Sequence, residues 1–556
     1  MQTPFDFTQL DFVVPPDDDE HQGAQNRNVK IYTADLETDP FKAGRYPQPF
    51  CAGFYDGHDF KSFWGEYCID RMFAFLETIE PGIIYFHNGG RFDIYYCMKY
   101  ITGFPALIIN GRIVKTQCKS SNPKMPHEIR DSYAILPFSL SKYKKDDIDI
   151  TLLEKDVRER HKAEITSYLK GDCVYLHELC HAFVTMFGPK ITVGSTAMGE
   201  LKKLHSFENL GKTIDADIRS KYYYGGRVEC FKRGILKGAW KVFDVNSMYP
   251  SVMKNFLHPI DSPEADTVKV RKSTCFISAE GKNYGAFPTR TKSNGLRFDI
   301  ESGLFHVSIH EWEAALSHNL FEPTKIRRCI NFRNRGTFAE FVDTFYSKRN
   351  KAKIDGDDIH ALFYKYILNS AYGKFAQNPA KYLEYTITDA TVNLESRGWK
   401  ANSINSTGTG ASNTYIIWNR PPEKLVSKMY NVATGASITG ASRAVLMDAI
   451  ARADTPIYCD TDSIICKGLK GVVLDDEMLG AWKQEATANK ACIAGKKLYA
   501  LFQRGKCVKQ ANKGVKITAE EIEDICNGMV VQSHRDAPSF HLDGSYNFIS
   551  RKVRML

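Results

Sequence analysis

The segment Pro456–Cys466, PIYCDTDSIIC, places Asp460 and Asp462 two residues apart between two apolar, β-prone runs. Such runs on either side of a short polar break predict two strands joined by a tight turn. Two carboxylates at the tip of a hairpin repel each other, and aspartate is otherwise depleted from strands. Divalent cations would neutralise that repulsion, because Mg²⁺ prefers hard oxygen ligands. The segment therefore predicts either a metal-binding hairpin or a solvated turn.

The composition is that of a globular chain with several domains. Its 556 residues exceed one ordinary hydrophobic core, so we expect about two to four domains. Hydrophobic residues make up 43% and charged residues 25% of the chain, as in soluble proteins. No apolar run reaches the roughly 18 residues of a membrane span, and the acidic N-terminus lacks the features of a signal peptide. Together with fourteen scattered cysteines, which favour reduced thiols, this predicts a cytoplasmic protein without a membrane partner.

Basic residues are concentrated in one C-terminal stretch. The 21 residues from Lys496 to Lys516 include seven basic residues and no acidic one, although the net charge of the whole chain is only +9. Tyr499 and Phe502 lie among them. This mixture of basic and aromatic side chains suits a phosphate backbone, but a solvated basic face would have the same composition.

The N-terminal third carries carboxylates beside predicted strand ends and turns. The segment 29–34, VKIYTA, predicts a buried strand, and Asp35 and Glu37 follow it. These two side chains point the same way, because side chains alternate along a strand. A second strand at 83–86 leads through a glycine turn to a helix that begins near Asp93.

Further polar and aromatic side chains accompany these carboxylates. In the helical segment 163–183, Tyr168 and Asp172 are four residues apart and share a face. Four carboxylates from three elements suggest a two-metal phosphodiesterase site, in which Tyr168 would orient the attacking water. Asn88 and Phe92, at the mouth of the glycine turn, would hold a frayed single strand by hydrogen bonding and stacking.

Several short motifs resemble those of family B DNA polymerases, in the family order. DLE at 35–37, HNGGRFD at 87–93 and YLKGD at 168–172 are similar to the three exonuclease motifs of proofreading members. WKVFDVNSMYPSVM at 240–253 is similar to motif A, with methionine in the usual leucine position. FYKYILNSAYGKF at 363–375 matches motif B, Kx3NSxYG, at all its named positions.

For the nuclease half, the resemblance implies Asp35, Glu37, Asp93 and Asp172 as metal ligands and catalytic residues. It implies Tyr168 as a further catalytic residue. It also implies a catalytic lysine, Lys145 in the KDDI segment, which would neutralise developing phosphate charge. Lys142 or Lys144 of the same charged run would be the alternatives. Ser132, like Asn88 and Phe92, is implied to contact DNA.

For the polymerase half, the resemblance implies Asp244 and Asp462 as metal ligands, with Val245 as a further metal-binding position and Asp460 as a further catalytic carboxylate. The implied dNTP-binding residues are Tyr249, Lys365, Asn369 and Tyr372. The last three fall on one face of a helix. A lysine suits a triphosphate and Tyr372 offers a flat surface to the nascent base pair. Tyr249 would stack below the deoxyribose and exclude a 2′-hydroxyl.

Three shorter matches complete the order. Residues 223–226 fit the YxGG motif that joins the two halves of protein-primed enzymes and contacts the template, and residues 439–443 resemble a motif that grips the template or primer backbone. Residues 497–499 fit the KxY motif that holds the primer terminus. The DNA-binding residues implied by these matches are Tyr223, Gly225, Gly226, Thr439, Arg443, Lys497 and Tyr499.

The resemblance thus implies a DNA-directed DNA polymerase with 3′-5′ proofreading exonuclease activity. Its partners would be DNA template, primer strand and dNTPs, and its cofactors two Mg²⁺ ions per active site, or Mn²⁺ in their place. The wording of the motifs is most similar to the protein-primed branch and its tectivirus-like phage members. A terminal protein would then prime a linear viral or plasmid-like genome, in the cytoplasm of the host cell if the protein is viral.

Two alternatives stay open. Within the same family, the polymerase would be primer-independent or primed by nucleic acid. In a different class, the chain would be a nuclease or single-strand-binding module with an inactive polymerase half. That alternative predicts the loss of at least one of Asp244, Asp462, Lys365 and Tyr249, and all four are present.

The expected fold class is an α+β multidomain protein. An RNase H-like 3′-5′ exonuclease domain would be followed by a right-hand polymerase of palm, fingers and thumb, with two insertions for the terminal protein. The predicted boundaries are 1–28 for a flexible arm, 29–188 for the exonuclease, 189–262 for the first part of the palm, 263–340 for insertion 1, 341–379 for the fingers, 380–425 for insertion 2, 426–510 for the second part of the palm and 511–556 for the thumb.

Overall fold

The computed structural model describes residues 29–292, 295–378, 382–406, 414–422, 431–535 and 537–555. The predicted arm, 1–28, lies outside the described residues, as do parts of insertion 2. The chain divides into two compact units. The first unit contains the described residues up to Thr196 and those within 379–427 and 535–549, and the second unit contains the others.

The helices of the described residues are α1 (Cys68–Leu76), α2 (Asp93–Tyr96), α3 (Met98–Ile101), α4 (Lys162–Phe187), α5 (Val193–Leu204), α6 (Lys212–Lys221), α7 (Met248–Asn255), α8 (Ile309–Ser317), α9 (Ala339–Ile354), α10 (Asp358–Phe375), α11 (Val432–Arg452) and α12 (Ala519–Cys526). In this part of the chain, no helix is long and apolar enough to cross a bilayer.

The strands are β1 (Ile31–Thr38), β2 (Pro49–Tyr55), β3 (Phe60–Trp64), β4 (Ile83–Phe86), β5 (Pro105–Ile109), β6 (Arg112–Cys118), β7 (His127–Asp131), β8 (Val228–Cys230), β9 (Gly234–Val245), β10 (His258–Pro259), β11 (Thr274–Asn283), β12 (Thr289–Arg290), β13 (Leu296–Arg297), β14 (Ser302–Ser308), β15 (Phe321–Asn331), β16 (Arg335–Gly336), β17 (Glu384–Asp389), β18 (Lys400–Ser406), β19 (Thr414–Arg420), β20 (Ala453–Asp454), β21 (Tyr458–Asp460), β22 (Ser463–Cys466), β23 (Gly468–Leu469), β24 (Trp482–Gly495), β25 (Leu498–Gln503), β26 (Lys506–Asn512), β27 (Val531–His534), β28 (Ser539–Phe540), β29 (Tyr546–Asn547) and β30 (Ser550–Val553).

The first unit is built on a ten-stranded mixed sheet. Its strand order is β18-β19-β17-β5-β6-β7-β4-β1-β2-β3, with β4 parallel to both β1 and β7. Helix α4 packs closely on β1 and β2: the Thr33 hydroxyl donates to the Cys173 carbonyl at 2.8 Å, and a Cβ at Gly53 would lie 2.8 Å from Leu169. This close approach brings the polar residues of α4 to the acidic part of β1.

Strand β1 is longer than predicted. It does not end at Ala34 but continues to Thr38, because Asp35 and Glu37 pair with Gly53 and Cys51 of β2. The two carboxylates therefore lie within the sheet, and their common direction is fixed by the ladder.

The stretch predicted as insertion 2 extends this same sheet. Strand β17 pairs with β5 through Tyr385 opposite Ala106, and β19 and β18 follow outward. The side chains of Ile387 and Ile417 are fully buried in the core of the first unit. By its contacts, this segment is thus part of the first unit.

The second unit is organised around a seven-stranded antiparallel sheet. Its order is β26-β25-β24-β9-β22-β21-β8. Helix α11 consists largely of small residues and is buried along most of its length, so α6, α7, α8 and α10 all pack against it. The predicted hairpin is confirmed: β21 and β22 pair antiparallel around the turn at Thr461, with Cys459 opposite Ile464.

Candidate active sites

The first site is an acidic cluster in the first unit. Burial, together with the charges of Asp93 and Asp172, raises the pKa of Asp35 well above its usual range. Burial and the charge of Asp172 raise the pKa of Glu37 to about 8, and burial raises that of Asp93 to about 7. These carboxylates come from β1, α2 and α4, as predicted. They repel one another in a desolvated place, which favours either protonation or a bound cation.

One oxygen of the cluster lacks a partner. Oδ1 of Asp172 is buried and accepts no hydrogen bond within the described residues. Tyr168, one turn earlier on α4, has its pKa raised by burial and by the nearby charges of Asp172 and Glu37. A buried carboxylate oxygen without a donor is the kind of atom that a hard cation would coordinate.

A lysine of the KYKKDD run lies next to the cluster. The Lys145 ammonium is 5.8 Å from the centre of the Tyr168 ring, and its charge opposes the rise in the pKa of Glu37. Lys144, one of the two alternatives, donates instead to Glu178 at 3.0 Å. Of these two lysines, Lys145 is thus the one that lies beside the acidic cluster.

The glycine turn beside the cluster is held by an ion pair. Asn88 has a left-handed backbone with φ 60°, and its side-chain oxygen accepts from Arg112 at 2.9 Å. Arg112 also pairs with the buried Asp131, which accepts from the Gly90 backbone N–H at 3.2 Å. A Cβ at Gly90 would lie 2.2 Å from the Ile113 carbonyl oxygen, so only glycine fits there.

Two residues of this unit that were predicted to contact DNA, Ser132 and Phe92, pack against other groups of the protein. Ser132 is fully buried and its hydroxyl donates to the Phe86 carbonyl, so it supports the turn from behind and offers no surface to a strand. Phe92 is half-buried, with its ring 5.4 Å from those of Phe41, Tyr96 and Phe540. Sequence reasoning missed Phe540, which is distant in the chain.

The second site is the aspartate hairpin of the second unit. Strand β22 pairs with β9 so that Ser463 lies opposite Asp244, and the Val245 N–H donates to the Asp462 carbonyl at 2.8 Å. Burial and the charge of Asp462 raise the pKa of Asp244 to about 7. Burial also raises the pKa of Asp462 itself, to about 6. Among the described residues, neither of these two carboxylates has an ion-pair partner within 4 Å, although Lys509 and Lys497 oppose the rise in their pKa values.

Asp460 differs from its neighbour. Both of its oxygens accept from the Lys497 ammonium at 2.5 Å, and Tyr458 donates to Oδ2 at 3.3 Å. Asp460 is thus already neutralised, and the structure pairs two residues that we predicted for separate roles. Tyr499 is buried against Tyr458, with ring centres 4.9 Å apart. Its contact with DNA stays a prediction.

The turn between the carboxylates is packed against the YxGG segment. Thr461 has a left-handed backbone with φ 57°, and its N–H donates to the Arg227 carbonyl at 2.7 Å. A Cβ at Gly226 would lie 2.7 Å from the Thr461 hydroxyl oxygen, whereas one at Gly225 would meet nothing within 4 Å. Tyr223, the first residue of the segment, is half-buried.

Two other predicted DNA contacts are buried. Thr439 lies inside α11, and its hydroxyl donates to the Ala436 carbonyl at 3.2 Å. The Arg443 side chain is 2% exposed and is engaged by Glu311 and by main-chain carbonyls. Both side chains are enclosed by protein, and their contacts with DNA stay predictions.

A cavity of about 520 Å³ adjoins Asp244 and Asp462. Its lining includes the predicted residues Asp244, Val245, Asp462, Lys365 and Asn369, and it also includes Asn246, Ser247, Tyr346, Arg349, Asn350, Lys353, Asp476, Glu477, Lys483 and Glu485. Arg349 and Lys353 lie four residues apart on α9 and share a face of that helix, so helical spacing could have grouped them. Nothing in the local sequence around Lys483 indicated its position.

The two tyrosines predicted to bind dNTP lie together. The rings of Tyr249 and Tyr372 stack with centres 3.9 Å apart and planes 14° from parallel. Burial raises the pKa of both phenols, and the charge of Asp462 adds to each shift. They come from α7 and α10, so the stack joins the two segments similar to motifs A and B.

A metal ion bound at either site would need further ligands to complete its coordination shell. In the described ranges, no three His, Cys, Asp or Glu side chains converge closely enough to enclose a metal ion. Mg²⁺ fits such partial sites, because it commonly uses one or two carboxylates and takes water and substrate phosphate oxygens for the rest.

An antiparallel sheet that carries Asp244 and Asp462 beside a cavity lined by both basic and acidic side chains suits the metal-dependent transfer of a phosphorylated substrate. The family model for DNA polymerase type B, organellar and viral, matches residues 142–465, and this chain belongs to that family. The DNA-directed DNA polymerase of Enterobacteria phage PRD1 is 45% identical, over 94% of this chain and 98% of its own. The DNA polymerase of Bacillus phage Nf is 28% identical over 68% of each chain.

A solved structure has the same fold. Phi29 DNA polymerase matches with a TM-score of 0.73 and 20% identity, over 95% of this chain and 100% of its own. The predicted family and fold class are thereby confirmed, and the chain is a DNA-directed DNA polymerase. The domain boundaries and the roles of individual residues stay predictions.

Proposed function

We propose that this DNA polymerase extends a primer on a DNA template by two-metal nucleotidyl transfer, proofreads with its first unit, and starts synthesis on a terminal protein. The observation that carries the polymerase mechanism is the pair of Asp244 and Asp462 at a cavity whose lining also includes Arg349, Lys353, Lys365 and Lys483. We do not assign Asp460 the same metal-binding role, because Lys497 already neutralises its charge.

In the polymerase site, Asp244, Asp462 and the main chain at Val245 would hold the metal ions. When bound, two Mg²⁺ ions would lower the pKa of the primer 3′-hydroxyl and stabilise the leaving pyrophosphate. Lys365, Arg349 and Lys353 line the cavity and would hold the triphosphate. The protein would contribute position and charge, and no covalent step.

The stacked tyrosines suit the selection of the sugar and base. Tyr249 follows the αL residue Ser247 and Met248 at the start of α7, and Tyr372 lies on α10 one turn beyond Asn369. A flat aromatic surface accepts a base pair of any sequence. A tyrosine packed from behind leaves no room for a 2′-hydroxyl, which would favour dNTPs over ribonucleotides.

In the first unit, Asp35, Glu37, Asp93 and Asp172 would hold the metal ions of a 3′-5′ exonuclease. The unpartnered oxygen of Asp172 supports this proposal. Tyr168 would orient the attacking water, and Lys145 would neutralise charge on the scissile phosphate.

Protein priming rests on the resemblance of the motifs and on the 45% identity to the PRD1 enzyme. A terminal protein would supply the first hydroxyl to the polymerase site. The experiment incubates the enzyme with Mg²⁺, labelled dATP and the cognate partner protein. A labelled partner supports the proposal, whereas normal extension of a DNA primer without a labelled partner would refute protein priming and favour a nucleic-acid-primed enzyme.

The two catalytic assignments are tested by separating the activities. Asp462→Asn should abolish extension and leave degradation of single strands, and Asp35→Ala with Glu37→Ala should do the reverse. Asp454→Asn is the matched control, because Asp454 is an exposed aspartate eight residues before Asp462. An Asp462→Asn enzyme that still extends primers would overturn the polymerase assignment, and a nuclease double variant that still degrades would overturn the other.

A further inference from the structure

We propose that Glu311 and Arg443 are positioning residues for the polymerase reaction. Together they would hold the main chain at Tyr224 and Gly225, and through it the turn that carries Asp462. Neither residue would touch DNA or nucleotide. Their effect on the reaction would pass through one continuous set of contacts inside the second unit.

The pair is a buried, two-point ion pair. Arg443 Nε donates to Glu311 Oε1 at 2.7 Å, and Nη2 donates to Oε2 at 2.9 Å. The two side chains are 2% and 0% exposed. Burying two charges costs free energy, which only good geometry and complete hydrogen bonding offset. Such a pair is therefore a rigid connection and a poor contributor to net stability.

The Glu311 carboxylate is also held by hydrogen bonds that do not involve the arginine. It closes a capping box at the start of α8, where its Oε2 accepts from the Ser308 N–H at 3.1 Å and from the Ser308 hydroxyl at 2.9 Å. The carboxylate thus belongs to the frame of α8, and the arginine binds to a group that has little freedom.

The approach of α11 to this cap depends on a glycine. A Cβ at Gly440 would lie 2.2 Å from the Ser308 hydroxyl oxygen, so the two helices come this close only because residue 440 has no side chain. Arg443 follows three residues later on the same face of α11 and meets Glu311. The glycine and arginine of the TGASR segment are thereby explained by helix packing.

The remaining guanidinium nitrogen connects the pair to the hairpin. Arg443 Nη1 donates at 2.8 Å to the carbonyls of both Tyr224 and Gly225. The next residue, Gly226, packs on Thr461, as described above. Any shift of the 224–225 backbone would therefore be transmitted to the turn between the two carboxylates.

The test uses substitutions that keep the fold. Arg443→Lys retains a positive charge opposite Glu311, but one ammonium cannot replace a fork that bonds two carboxylate oxygens and two carbonyls. Glu311→Met with Arg443→Met removes both charges together, which buried pairs tolerate better than the loss of one partner. Arg452→Lys is the matched control on the same helix, because the Arg452 side chain is 43% exposed.

Single-turnover extension at saturating DNA and dNTP is measured with the affinity for primer-template at several salt concentrations. We expect both Arg443 variants to lower the extension rate about 10- to 100-fold, because catalysis is sensitive to misplacement of about 1 Å. DNA affinity and its salt dependence should stay those of the wild type, as should every property of the control.

Two results would overturn the proposal. A weaker affinity for DNA, with a salt slope reduced by about one unit and a normal rate at saturation, would identify Arg443 as a phosphate contact. A lower melting temperature with unchanged rate and affinity in both variants would reduce the pair to a packing role.

Discussion

Substituting Gly226 by alanine places a methyl group directly against the turn between Asp460 and Asp462. The new Cβ would lie 2.7 Å from Oγ1, 2.8 Å from Cγ2 and 3.1 Å from Cβ of Thr461. Ordinary contacts between such atoms are about 3.5–4 Å, so one side must move by close to 1 Å. Thr461 has little freedom to rotate away, because it is β-branched and its N–H is bonded to the Arg227 carbonyl.

The size of the effect follows from this displacement. Adding a methyl group to a well-packed place costs about 1–3 kcal/mol of stability. The turn carries Asp462, and a shift of about 1 Å in a catalytic group lowers the rate roughly 100-fold. That factor corresponds to about 2.7 kcal/mol in the activation free energy. We therefore expect Gly226→Ala to stay folded and to lose most of its extension rate.

The assay is single-turnover primer extension combined with thermal unfolding. Thr461→Gly removes all three crowded atoms, so the double variant should recover part of the rate lost by Gly226→Ala, relative to Thr461→Gly alone. Gly225→Ala adds the same methyl where nothing lies within 4 Å and should keep its rate at saturating DNA. A normal rate for Gly226→Ala, or no recovery in the double variant, would refute the reasoning.

Three further outcomes are expected. Asp35→Asn should raise the melting temperature in EDTA, because the raised pKa of this buried carboxyl means that its charge destabilises the fold at neutral pH; a lower melting temperature would contradict this. Lys145→Ala should lower single-strand degradation about 100-fold while Lys144→Ala keeps it, and equal rates would refute the choice. Burial lowers the pKa of His258 to about 3 and of His310 to about 4, so stability present above pH 6.5 is lost as the pH falls. Each histidine should lower the free energy of unfolding by about 2 kcal/mol at pH 5. His258→Asn should therefore flatten the fall in melting temperature measured between pH 7 and 5.

Local patterns predicted the elements that carry the sites. The hairpin at Asp460 and Asp462 and the helix face with Lys365 and Asn369 depend on spacings of two to four residues, which a sequence displays directly. The structure confirms both elements. The strand that carries Asp35 was also expected, although its end was misplaced because pairing with β2 carries it further.

Burial and distant partners could not be predicted in this way. Arg443 resembles a phosphate-binding residue in sequence, but its partner Glu311 is 132 positions away in the chain. Tyr499 and Ser132 lie in short motifs whose wording says nothing about which side faces the core. A motif fixes the type of residue and its local element, whereas exposure is decided by what the rest of the chain packs against it.

Strained backbone at the two sites gives these motifs a common physical basis. The non-glycine residues with left-handed φ include Asn88, Ser247, Thr461 and Lys497, and all four lie in motifs beside predicted catalytic carboxylates. Such a conformation costs about 1–3 kcal/mol and persists only where contacts hold it. Glycine would relieve the strain but remove the contacts: Asn88 accepts from Arg112, while Thr461 and Lys497 both bond to Asp460. At these positions the residue with the strained backbone also makes the side-chain contact that holds the turn. This explains why they carry asparagine, threonine and lysine where the backbone alone would favour glycine.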